Sequence, residues 1–415
     1  MSRILKNKLK ILFPEGSSLS SRQALTALGR EGYTIDICDP NPVCICRFSK
    51  YVNKIYKCPI IGQDPIGYYS FILNLISKKK YDVLLPIHEQ AFLFSKKHKA
   101  ISKYVNIAIS DFDSFELMQS KTEFMKLLKK LNIPYPNSLF IKTREELRAL
   151  TQYPYYLKLA YGTAGHGTWR VENNSEMDIV IKELDNSGYL LDDSEILVQK
   201  AVDGNLCVVQ SVFNNGELIG AHCYQLCAEG VGGSASARIG VNHLDVIKDL
   251  KVLGKYLNWH GCLMLDYIYD KKTRTPYYIE ANPRTGETMN ATLSGFNLVE
   301  ILTKLSLGQS FYEYKKSSFG VKTHSLMATL LGIASRNGNR RKLISEIIKA
   351  ILKVDNYRNS YEDLTNIKDD FLSVIPLFVI ILKLLINPHS ATVVSGNTIN
   401  NYSISENIVK KIKEM

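Results

Sequence analysis

Apolar and polar positions along the chain divide it into three patterns. From Leu9 to Phe13 the residues are strand-like and lead to a Gly16-Ser17-Ser18 turn. Ser20 or Ser21 then caps a predicted helix to about Arg30, with Ala24, Leu25 and Leu28 on its apolar face. Gly32 ends that helix and Thr34 to Cys38 returns as a strand, which makes a strand–helix–strand unit with a parallel crossover. A helix around Tyr69 to Lys79, a buried strand from Tyr81 to Pro86 and a short strand from Val105 to Ser110 extend the same alternation. Asp113 to Asn132 reads as one helix with Phe124, Leu127, Leu128 and Leu131 on one side, broken by Pro134 and Pro136.

Beyond that point the period shortens to two. Strands are predicted around Tyr155 to Lys158 and Glu195 to Gln199, and Leu206–Phe213 with Leu218–Cys223 form a hairpin about Asn214-Asn215-Gly216. A helix from Asp245 to about Leu257 precedes the apolar strand Gly261 to Ile268, which turns at Lys271 to Thr275 and returns through Tyr277. In the last hundred residues Leu343 to Leu352 is helical, and Phe371 to Ile386 is the most apolar segment of the protein.

At 415 residues there is room for two or three domains, and 45% hydrophobic with 22% charged residues is a globular composition. The net charge of +12 suits anionic partners, either nucleotide or lipid. No arginine-rich arm or basic helix with interleaved aromatics is present, so nucleic acid is not the expected partner. The eight cysteines form no C-x-x-C pair, the basic N-terminus has no long apolar core, and a cytoplasmic setting is expected. His222, Cys223 and Cys227 are close enough to suggest zinc, but no second half-site follows them.

The stretch with most chemistry is Tyr277 to Thr288. Glu280, Asn282 and Arg284 fall at every second position, which puts them on one face of an extended backbone. A carboxylate and an amide oxygen suit Mg²⁺, and a guanidinium suits phosphate; a polar strand end with an ordinary ion pair fits the same residues. Asp266 is the one charge in its apolar strand, so it pairs with a lysine or shares a cation with Glu280 on the neighbouring strand. Lys158 precedes a loop with Gly162, Gly165 and Gly167, which can cover phosphate or simply close a hairpin. His88 and Glu89 follow a parallel strand at the edge where ligands bind in open sheets. Gly230 to Gly240 reads as a mobile loop or plain linker, with Arg238 as its single charge.

In this order and spacing the motifs resemble the ATP-grasp ligases, in the branch of biotin carboxylase and carbamoyl phosphate synthetase. The resemblance covers roughly residues 113 to 305 and implies an α/β fold, α+β in the ATP-grasp part. It divides the chain into a Rossmann-like pre-ATP-grasp domain over 1–112, an ATP-grasp domain over 113–305 and a mainly helical extension over 306–415. Within the second domain it implies a lid at about 135–200 and metal-site strands at 260–290. It further implies ATP with Mg²⁺, or Mn²⁺ in its place. Lys121, otherwise one of several lysines on a helix, and Lys158 would grip phosphates under the flap Gly162, Thr163, Ala164, Gly165, His166 and Gly167. Gln199, Lys200, Ala201, Val202 and Asp203 would form the adenine and ribose hinge, although Gln199 and Lys200 stand where a glutamate is common. Asp266, Glu280 and Asn282 match the metal positions, and Arg284, with Arg238, would face the transferring phosphoryl group.

The implied reaction joins a carboxylate to an amine through an acyl phosphate, with His88 and Glu89 on the substrate side. A thiol or bicarbonate acceptor, or a catalytically silent nucleotide-binding scaffold, are the alternatives. No biotin-attachment segment and no second ATP-grasp copy appear. The tail resembles that of bacterial ATP-grasp proteins of cell-surface polysaccharide pathways. Its segment 371–386 falls short of the roughly 20 residues that span a bilayer, so it is expected as a core or homodimer helix or as a peripheral membrane contact.

Overall fold

The computed structural model describes residues 9–162, 165–190, 194–336 and 338–415. A parallel sheet in the order β3-β2-β1-β4 is built from β1 (Lys10–Phe13), β2 (Thr34–Asp39), β3 (Val52–Lys57) and β4 (Val83–Leu84). Ser18, rather than Ser20 or Ser21, caps the helix Leu19–Arg30, because its hydroxyl accepts the Ser21 amide. Asp64 caps the helix Pro65–Lys78, with Pro65 in the first turn where its missing N–H costs nothing. The strand expected from Val105 to Ser110 is reduced to a bridge between Val83 and Asn106.

The single helix expected over Asp113–Asn132 is two helices, Phe112–Gln119 and Lys121–Leu131. Ser120 sits in the β region between them and its side chain caps the second, so Lys121 opens a helix instead of lying within one. Next comes an antiparallel sheet in the order β5-β8-β6-β7, made of β5 (Ser138–Ile141), β6 (Tyr155–Lys158), β7 (Thr168–Val171) and β8 (Ile196–Lys200). It has its own core, in which Leu157, Val171 and Val198 meet Met177 and Ile181 of the helix Asn174–Asn186.

The largest sheet has seven strands. They are β9 (Asn205–Asn214), β10 (Glu217–Glu229), β11 (Ala235–Val241), β12 (Gly261–Asp270), β13 (Thr275–Asn282), β14 (Lys322–His324) and β15 (Ser360–Glu362), in the order β13-β12-β9-β10-β11-β14-β15. Two findings depart from the sequence reading. Most of Gly230–Gly240 is the strand β11, not a loop; Ala235, Ser236, Ala237 and Gly240 are buried in it. The segment 306–415 is helical for the most part, but it also supplies β14 and β15, and so completes the central sheet.

Residues 404–412 pack back on the elements around the first sheet. Ile404, Ile408, Val409 and Ile412 join a cluster that also holds Tyr68, Phe92 and Phe124. That cluster continues to Leu265 and Tyr278 of β12 and β13, so the first sheet and the central sheet share a continuous apolar interior.

Candidate active site

Register fixes the centre of the site. Asp266 on β12 lies directly opposite Glu280 on β13, and a bulge immediately follows them. Directly opposed residues on an antiparallel pair have side chains about 5 Å apart, so two carboxylates meet at one point. Asn282 approaches from two residues further on, its amide nitrogen 3.4 Å from Asp266 Oδ2. Asp266 Oδ1 is buried and has no hydrogen-bond partner.

Cations converge on this pair from other elements. Lys121 Nζ is 3.0 Å from Glu280 Oε1 and 3.2 Å from the Gly162 carbonyl oxygen. Lys158, at the end of β6, donates to the Ile279 carbonyl at 3.2 Å. The charges disturb one another as electrostatics requires. Burial, then the facing Glu280, raises Asp266 to about 7. Burial, helped by Lys121 and opposed by Glu280, lowers Lys158 to about 8. Burial also pushes Glu280 up, but Lys121, Lys158 and Arg284 outweigh it and the carboxyl ends below its ordinary value.

Arg284 turns toward the first domain. It pairs with Glu89, whose other oxygen accepts from Gln119 Nε2 at 3.0 Å. His88 is buried, packs against Tyr402 with centroids 4.1 Å apart and ring planes tilted by 50°, and is held neutral by burial and by Arg284. Both predicted substrate-side residues therefore lie near Arg284, at the carboxyl edge of β4.

Arg238 is placed differently from the expectation. It is buried on β11, 2.7 Å from Asp363, paired also with Glu287, and lies over the Tyr224 ring. Where a guanidinium facing a phosphoryl group was expected, the structure has one engaged by two carboxylates, Asp363 and Glu287. Glu287 in turn accepts from Gln23 Nε2 at 3.3 Å, which links it to the first domain.

The glycine flap is the β6–β7 connection. Gly165 and Gly167 have φ of 82° and 73°, a region that side-chain-bearing residues avoid. A Cβ on Gly165 would sit 3.6 Å from the Gly232 carbonyl oxygen, so the flap meets the turn before β11. His166 is exposed, and Thr163 and Ala164 lie outside the described residues.

The hinge expected over Gln199–Asp203 is the junction of β8 and β9. The Gln199 side chain turns away from the cleft to Met125 Sδ and Ser138 Oγ, each at 3.1 Å. Lys200 reaches Gln152, and Ala201 and Asp203 are exposed. The His222 ring is 2.7 Å from Asn290 Oδ1, and among the described residues no group of three His, Cys, Asp or Glu side chains is arranged for a metal.

Glu287, out of phase with the Glu280–Arg284 face in the sequence and so expected on the substrate side or in a structural role, is held by Arg238 and Gln23. Tyr402 escaped the sequence reading: besides His88, the charges of Glu15, Arg284, Glu287 and Glu89 all act on its hydroxyl. Asn401 beside it donates to Ser17 Oγ at 3.1 Å. Nothing in the polar run around Tyr402 marks these contacts, which all join residues more than 100 positions apart.

A parallel four-stranded sheet, a small antiparallel sheet and a large sheet carrying two opposed carboxylates make up the ATP-grasp fold. Within it, the chain resembles the branch of biotin carboxylase and carbamoyl phosphate synthase. No family model matches the chain. It is 23% identical over 301 residues to the carbamoyl phosphate synthase large chain of Clostridium acetobutylicum, a match covering 69% of this chain and 27% of that one. The chain thus spans about a quarter of the length of that relative. Among solved structures, the biotin carboxylase domain dimer of Hydrogenobacter thermophilus 2-oxoglutarate carboxylase, with MgADP, ADP and bicarbonate, is similar. Its TM-score is 0.60 at 17% identity, over 75% of this chain and 73% of that one. An L-amino acid ligase from Bacillus licheniformis has a TM-score of 0.56 at 14% identity, over 72% and 74%.

Proposed function

We propose that the protein is an ATP- and Mg²⁺-dependent ligase that joins a carboxylate to an amine. One observation carries this reading. Lys121 from a helix start and Lys158 from the lid sheet converge on Glu280, which is in register with Asp266. An isolated ion pair needs only one lysine; two, beside a second carboxylate with an unpartnered oxygen, suit a metal-bound polyphosphate.

The donor set fits Mg²⁺: Asp266, Glu280 and the Asn282 amide oxygen would hold it, and the ion would neutralise charge between the β- and γ-phosphates. Lys121 and Lys158 grip the phosphate chain as point charges, and Arg284 faces the γ-phosphoryl group. The substrate carboxylate oxygen bonds to the γ-phosphorus as the bond to the bridging oxygen of ADP breaks. The amine nitrogen then bonds to the acyl carbon, phosphate leaves, and the nitrogen loses a proton. The flap and the turn at Gly232 keep water from the acyl phosphate.

The bicarbonate held by the 2-oxoglutarate carboxylase neighbour favours a second reading, with bicarbonate as a reactant, and the L-amino acid ligase neighbour favours the first. Incubation with ATP, Mg²⁺ and pooled acids and amines, followed by mass spectrometry, separates them by the product formed. ATP hydrolysed with no coupled product would remove both. A place in cell-surface polysaccharide synthesis and a homodimeric state are finer readings. The first rests on the resemblance of the tail, the second on the dimer described for the carboxylase neighbour.

Two expected results follow from the site's charges. The metal needs Asp266 ionised and the phosphates need Lys158 protonated. The kcat/KM for MgATP should therefore rise through about 7 and fall above about 8. Lys158→Arg should remove the alkaline limb, because arginine does not titrate there; an alkaline limb unchanged in that variant would assign it to another group.

Tyr402→Ala should raise KM for the acceptor several-fold while leaving KM for ATP in place, and Tyr402→Phe should keep most of the ring contact with His88. Equal losses for both ligands would mean that Tyr402 serves only the packing.

A further inference from the structure

The helices Arg340–Leu352 and Val374–Ile386 form a layer over the helix Leu326–Ser335. Leu330 and Ala334 from below meet Leu343 and Leu384 from above, with Ile347 and Ile380 packed against them. Arg340 joins the two upper helices by donating to the Leu385 and Ile386 carbonyls, each at 2.6 Å.

The face turned away from that core should be polar in an ordinary surface helix. Here it is not. On the first helix Ile344, Ile348, Ile351 and Leu352 recur at helical spacing and are 47%, 49%, 72% and 65% exposed. On the second, Ile375, Phe378, Val379, Leu382 and Ile386 do the same, with Phe378 59% and Ile386 72% exposed. Adjacent apolar stripes of this kind mark a surface that something covers.

Charge says what covers it. Arg341, Lys342, Lys353 and Lys383 are exposed and form no ion pair among the described residues. From 371 to 400 the sequence has no Asp or Glu. Glu346 and Asp355, in and just after the first helix, are engaged by Lys349, and Asp369 and Asp370, just before the second, by Arg30 and Arg22. A second copy using the same face would set these cations against their own equivalents. No helix among the described residues is long and apolar enough to cross a membrane.

We propose that this two-helix face docks in the plane of an anionic lipid surface, its apolar stripes in the headgroup boundary and its cations on lipid phosphates. The reading is independent of the ligase activity. The test is flotation of the full chain with vesicles of phosphatidylglycerol and phosphatidylcholine, against phosphatidylcholine alone, alongside sedimentation equilibrium without lipid. Flotation with the anionic vesicles is expected at low salt, and its loss at about 1 M salt, where the screening length is near 3 Å.

Phe378→Glu and, separately, Arg341→Glu with Lys342→Glu should each reduce the bound fraction at least tenfold. Unchanged thermal melting would show that the variants remain folded. Equal flotation with neutral vesicles, or none with anionic ones at low salt, would overturn the proposal. So would a dimer in solution that Phe378→Glu dissolves, because the occupant would then be a second copy.

Discussion

Glu280→Gln should lower ATP turnover by about a hundredfold or more, the scale at which loss of one positioned charge-stabilising group is felt. The substitution keeps the volume of the side chain and its capacity to accept from Lys121, now 3.0 Å away. What it removes is the negative charge that faces Asp266 across the β12–β13 pair and draws Lys121 and Lys158 together. Without it, the metal would lose a charged ligand, and only Asp266 would be left to offset the repulsion between the two lysines. The fold should tolerate the change, because relief of the repulsion at Asp266 offsets the weakened lysine contact. Release of ADP, followed alongside the melting temperature, checks both halves. Turnover equal to that of the parent protein would reduce Glu280 to the ion-pair partner of Lys121.

The second large effect is on stability. Arg238→Leu should destabilise the fold by about 3–5 kcal/mol, the range for breaking a buried ion pair from one side. Asp363 and Glu287 lie on either side of the guanidinium; Asp363 is fully buried and Glu287 15% exposed. Burial already raises Asp363 well above the carboxylate range, and Arg238 is the main group that opposes the shift. Because β11, the 306–415 segment and the loop after β13 all meet at this arginine, its loss should register in global unfolding. Urea denaturation of the variant measures it. A change under about 1 kcal/mol would show that water or a rearranged partner replaces the guanidinium.

The residues that were legible in the sequence share a property: their partners are set by local periodicity. Glu280, Asn282 and Arg284 alternate, and Asp266 is the one carboxylate in an apolar strand, so pairing the two strands was enough to bring them together. Lys121 gave no such signal among Lys126, Lys129 and Lys130. The helix break that positions it does have one, since Ser120 and Glu123 are spaced as in a capping box. Arg238 was misplaced because Gly, Ser and Ala in strand β11 resemble a loop when their close packing is not visible.

Gln199 lies at the expected junction, but its amide nitrogen is turned to Met125 and Ser138, a choice that local periodicity does not show. Tyr402 and Glu287 depend on contacts between distant parts of the chain. The strands β14 and β15, of three residues each, are too short to show a period. The apolar face of the tail was legible as composition, whereas its division into inner and outer stripes needed the helix beneath it.

In the proposed mechanism Asp266, Glu280 and Asn282 hold the metal of a nucleotide gripped by Lys121 and Lys158. A crystal structure with a non-hydrolysable ATP analogue and Mg²⁺ tests it most directly. The expected result is the ion held by Asp266, Glu280 and the Asn282 amide oxygen, with both lysines on phosphate oxygens and Arg284 at the γ-phosphate. Nucleotide bound elsewhere, or Lys121 still paired with a metal-free Glu280 beneath it, would contradict the account.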